Sequence, residues 1–133
     1  MEGIRDPLWR RLLVSFRTAE RFESSGCSWT VLAAPPGRER NERYRYVLLV
    51  FETPAVPVLL VALEADILGD WMATLLESGG RRTLARFDSE PAYETWRELA
   101  MQAAWERLAA LRGADKTPST RPERGGPRYP LNP

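Results

Sequence analysis

A chain of 133 residues with 44% hydrophobic composition can bury roughly two-thirds of its unfolded surface in one domain. It contains no histidine, which excludes Ser-His and Cys-His nucleophile pairs, imidazole zinc sites and histidine acid–base ribonuclease chemistry. Net charge is +1, and every basic residue except Lys116 is arginine, as either a GC-rich, bacterial-type coding bias or a use in phosphate or carboxylate recognition would produce. Acids interleave these arginines, which gives a mixed surface instead of a polyanion-binding stripe.

Asp6-Pro7 is a helix start, a capping carboxylate followed by proline at the first helical position. Leu8, Trp9, Leu12, Leu13 and Phe16 follow at helical spacing and predict a first helix that ends near Ser24-Ser25-Gly26. Arg10 and Arg11 interrupt that apolar stretch, so it does not read as a secretory signal. The lone Cys27 excludes an internal disulfide, suits a reducing cytoplasm and reads as structural. Residues 28–34 form a strand closed by Pro35-Pro36-Gly37.

The centre of the chain is 43–64, where the apolar runs 47–51 and 58–63 flank a proline-marked turn and predict an antiparallel hairpin. Val47, Leu49 and Phe51 share one face, while Tyr46, Leu48 and Val50 share the other. Both faces are apolar, so the hairpin is expected to be central, with cover on each side. Glu52, Pro54 and Pro57 break the run, which therefore does not span a membrane.

Beyond the hairpin, Ile67, Leu68, Trp71, Met72, Leu75 and Leu76 fill one broad helical face and predict a second helix over 66–77, stopped by Gly79-Gly80. Residues 81–87 alternate as a short strand. Asp88-Ser89-Glu90-Pro91 then opens a long helix from about Ala92 to Leu111. On it Tyr93, Trp96, Leu99, Ala100, Ala103, Ala104 and Leu111 are expected to face the core. Met101, Trp105 and Leu108 sit among Glu94, Glu98, Gln102 and Glu106 and form a candidate partner or self-association patch. The aperiodic, Pro/Gly/Arg-rich residues 113–133 read as a disordered tail, in which 124–130 fit an Arg-x-x-Pro-x-x-Pro pattern.

The expected architecture is one α+β domain over 1–112, an antiparallel sheet of about four strands flanked by three helices in the order α-β-β-β-α-β-α. That order resembles in outline the core of the restriction-endonuclease-like nucleases, whose second strand carries an acid and whose third carries acid-x-Lys, together holding magnesium. Here the corresponding acids are Glu52 and Glu64, roughly 20 Å apart along the hairpin at the usual strand rise. Glu64-Ala65-Asp66 has aspartate where the motif has lysine. The order also resembles the type III secretion chaperones, small dimeric helix-flanked sheets that hold a partner's unfolded segment.

The absent catalytic groups and the doubly apolar hairpin point to a non-catalytic, cytoplasmic binding module: an adaptor, inhibitor or chaperone-like protein, expected as a dimer in the manner of those chaperones. It would need no cofactor and no metal, and would act through a sheet face or the Met101, Trp105, Leu108 patch. The alternative is a nucleic-acid-binding protein using Arg38, Arg40, Arg43, Arg45, Arg81, Arg82 and Arg86 on phosphates. A third class, an enzyme using carboxylates alone, requires distant acids such as Glu20 and Glu64 to meet in one pocket. Asp66 and Asp70, one helical turn apart in this reading, favour a helix dipole without any ligand.

Overall fold

The computed structural model describes residues 3–37 and 42–116. The chain forms helix α1 (Leu8–Ser15), strands β1 (Arg17–Ser24), β2 (Cys27–Ala33), β3 (Tyr44–Phe51), β4 (Pro57–Ala65), β5 (Trp71–Glu77) and β6 (Gly80–Phe87), and helix α2 (Tyr93–Lys116). The strands make one antiparallel sheet in chain order. This corrects the expected four strands and three helices to six strands and two helices. The element order behind both outline resemblances is therefore not the order of this chain.

The first difference is at 16–24, expected to continue the first helix. Phe16 leaves helical geometry with ψ 155°, and Arg17–Ser24 pairs along β2 up to Ser24 opposite Cys27. Ser25 (φ 57°) and Gly26 (φ 76°) are the two positive-φ residues of a tight hairpin turn, so Ser-Ser-Gly turns a strand instead of ending a helix. The second difference is at 66–77. The Asp66 carboxylate accepts the N–H groups of Leu68 and Asp70 at 2.8 and 3.0 Å, closing a turn in which Gly69 has φ 88°. Ile67 and Leu68, expected in the core, are fully exposed at its tip.

Gly69→Ala is expected to cost about 1 kcal/mol by urea unfolding, because alanine is strained at positive φ. Ile67→Ser should stay within about 0.5 kcal/mol of wild type, because it changes no buried surface.

The hairpin is central, as its two apolar faces require. β3 and β4 occupy the third and fourth places of the sheet. On one face Trp29, Val31, Leu48, Val50, Leu59, Val61, Leu63 and Leu75 pack against Trp96, Ala100, Met101, Ala104 and Leu108 of α2. On the other, Leu32, Val47, Leu49, Leu60, Ala62 and Leu76 pack with Ile4, with Trp9 and Leu12 of α1, and with Phe16. The charges concentrate on the edges, Arg17, Glu20, Arg21 and Glu23 on β1 and Arg81, Arg82 and Arg86 on β6, where they oppose edge-to-edge pairing. No helix among the described residues is long and apolar enough to cross a membrane. α2 continues to Lys116, past its expected end, and residues 117–133 of the expected tail lie outside the described residues.

Candidate binding groove and arginine pair

α2 crosses the sheet on a stripe of Trp96, Ala100 and Ala104, whose small residues let the helix axis lie close to the strands. This rotates the core-facing sector away from Leu99 and Ala103, which are only half-buried. Met101 and Leu108 are thereby carried into the core at 5% and 2% exposure, while Trp105 remains 43% exposed. Of the three residues expected to form one outward patch, all on the same sheet face, Trp105 alone keeps substantial exposure.

Trp105 has a supported position. Its ring lies 5.4 Å from that of Trp29, which stacks at 5.7 Å on Phe22 of β1. The Trp29 indole N–H donates to the Ser24 carbonyl at 2.9 Å, which fixes the middle ring of the ladder. Beside it a groove of about 580 Å³ runs between β1 and α2, lined by Phe22, Glu94, Arg97, Glu98, Met101, Gln102 and Trp105.

The groove's other end is set by Glu20. Arg97 donates to both its oxygens, Nε to Oε2 at 2.5 Å and Nη2 to Oε1 at 2.8 Å, and the Tyr93 hydroxyl donates to Oε2 at 2.5 Å. The Arg97 hydrogen bonds, helped by that from Tyr93, hold the Glu20 carboxyl below its usual range. Burial, reinforced by the bond to Glu20, pushes the Tyr93 phenol well above its usual value. A lowered folded-state pKa contributes stability that is present above the unfolded value of 4.5 and is lost as pH falls through the folded value. The stability gap between wild type and Glu20→Gln is therefore expected to be constant near neutrality and to close progressively below about pH 4.5 in urea titrations.

The arginines offered as phosphate contacts, those before the hairpin and those of Arg81 to Arg86, are divided between the two sheet faces. Arg38 and Arg40 lie outside the described residues. Arg45 pairs with Glu90 at 3.0 Å and lies over the Trp71 ring, on the α2 side. Arg82 is opposite Leu75, also on the α2 side. Arg43, Arg81 and Arg86 belong to the other face. There Arg43 Nη2 lies 2.7 Å from Glu64 Oε1, off the hydrogen-bonding direction and so paired by charge, while Arg81 Nη2 donates to Oε2 at 2.5 Å. The Thr74 hydroxyl also donates to Oε2, and Glu64 is fully buried.

Glu20 and Glu64 therefore lie on opposite faces of the sheet, so the pocket that a carboxylate enzyme needs is not formed by this pair. Glu52 and Glu64 sit at opposite ends of the hairpin, since Phe51 pairs with Pro57 and Tyr44 with Glu64. Among the described residues no three Cys, Asp or Glu side chains gather as a metal site. Cys27 is buried with Arg112 Nη2 3.3 Å from its sulfur, and burial raises its thiol pKa. The arginine pair on Glu64 had one signal in the sequence, a single acid in the otherwise apolar strand PVLLVALEA. Compared with protein families, curated proteins and solved structures, the chain matches none.

Proposed function

We propose that this chain is a cytoplasmic, non-catalytic binding module, adaptor-, inhibitor- or chaperone-like, that holds an extended segment of a protein partner in the groove between β1 and α2. The observation that carries this reading is Trp105, 43% exposed yet backed by Trp29 and Phe22. Large rigid aromatics seated on a packed floor are typical binding hot spots, because they bury much area and lose little side-chain entropy. The apolar floor of Phe22 and Met101 would take aliphatic or proline side chains, and Glu94 and Glu98 on the rim would favour a basic flank. The lack of histidine and the buried, raised-pKa Cys27 support binding without covalent chemistry.

Selection of displayed peptides on the purified protein, followed by affinity measurement on Trp105→Glu, tests the assignment. Peptides that bind wild type should lose about tenfold or more on the variant, whose circular dichroism should stay native. Equal affinity for both proteins would move the site elsewhere. Sedimentation of the unliganded protein would separate a partner's segment from a second copy of this chain as the occupant.

A further inference from the structure

Glu64 is the only acid in β4, a central strand, and it is fully buried. A carboxylate is costly to desolvate there, and an apolar side chain would serve packing better. One negative charge also needs only one partner, yet two guanidiniums meet it, one on each oxygen. The cluster is left with a net positive charge.

Both arginines are held, and both face solvent. The Arg43 guanidinium lies 5.7 Å over the Tyr44 ring, and Arg81 is held by its hydrogen bond to Glu64 at 2.5 Å. Their side chains are 55% and 46% exposed, so both guanidiniums are within reach of a dissolved ligand. Arg86 stands opposite Met72, which is itself opposite Glu64, so register adds a third guanidinium on this face. Of the neighbouring acids, Glu42 is paired with Arg11 and Glu77 with Arg107, while Asp6 and Asp66 accept backbone N–H groups.

We propose that Arg43 and Arg81, both held on Glu64, form a binding site for a small oxyanion of the phosphate class. Planar guanidinium forks match tetrahedral oxyanions, and prior immobilisation removes much of the entropic cost of using them. The ligand is a phosphate group and not a stacked base, because Tyr44 is buried and offers no open ring face.

Calorimetric titration of the full chain with inorganic phosphate and with pyrophosphate at low chloride tests the site. Saturable binding with a dissociation constant on the order of a millimolar or tighter is expected, weakened about tenfold by Arg43→Gln and by Arg81→Gln. Those variants leave Glu64 short of a partner and could unfold, so both are repeated in a Glu64→Gln background. There the arginines neutralise nothing buried, the glutamine can still hold them by hydrogen bonds, and each Arg→Gln should still lower affinity about tenfold. Absence of binding by both wild type and Glu64→Gln would overturn the site, as would affinity that ignores both arginines. Arginine-dependent binding of labelled single-stranded RNA with none of phosphate or pyrophosphate would overturn the small-anion assignment.

Discussion

Trp96→Ala is expected to lower the unfolding free energy by about 3–5 kcal/mol, the range for truncating a large buried aromatic. Trp96 is fully buried where α2 meets the sheet, with the Tyr46 ring stacked at 5.5 Å and the Tyr93 ring at 6.1 Å. A 24-residue helix held on one sheet face by a narrow stripe has few substitutes for that anchor. A comparison with Trp29 separates volume from polarity. Both indoles are fully buried, but the Trp29 N–H donates to Ser24, whereas the Trp96 N–H finds no acceptor among the described residues.

Replacement by phenylalanine removes a similar volume at each site, a made hydrogen bond at Trp29 and an unmet donor at Trp96. Trp29→Phe should therefore be the more damaging by about 1 kcal/mol or more, read from urea midpoints at constant slope. Equal losses would mean that the Trp96 N–H is satisfied in solution, for instance by a buried water.

These two tryptophans also mark what could and could not be read from residues alone. The central hairpin was legible because an unbroken apolar run of strand length admits few other placements. Residues 17–24 were not, because an edge strand buries little and its charges carry neither period strongly. Residues 71–77, WMATLLE, are apolar on both strand faces and so fill a helical face equally well. The decisive signal there was Asp66 and Gly69 as a turn, which the apolar Ile67 and Leu68 obscured. The last helix was legible from its capping residues, but its rotation was not. Two alanines set the line of closest approach, and a count of large apolar residues cannot see them. Hence Trp105 is exposed, while its two expected companions are core.

Arg81→Ala is expected to destabilise by about 2–3 kcal/mol, whereas Glu64→Leu should leave stability unchanged within about 1 kcal/mol or raise it. The asymmetry follows from burial. Removing Arg81 leaves a fully buried carboxylate with Arg43 and Thr74 as its remaining partners, and its desolvation is then poorly offset. The loss should fall below that of a wholly buried pair, because Arg81 is half exposed and water can enter its place. Removing Glu64 instead frees two arginines that already reach solvent, and leucine continues the apolar face of Leu60 and Ala62. Urea unfolding of the two single variants and of Glu64→Leu/Arg81→Ala closes a double-mutant cycle. In the Glu64→Leu background the arginine should become nearly neutral. If Arg81→Ala costs the same with and without Glu64, the two are not coupled, and the arginine stabilises the sheet by its aliphatic stem lying across β5.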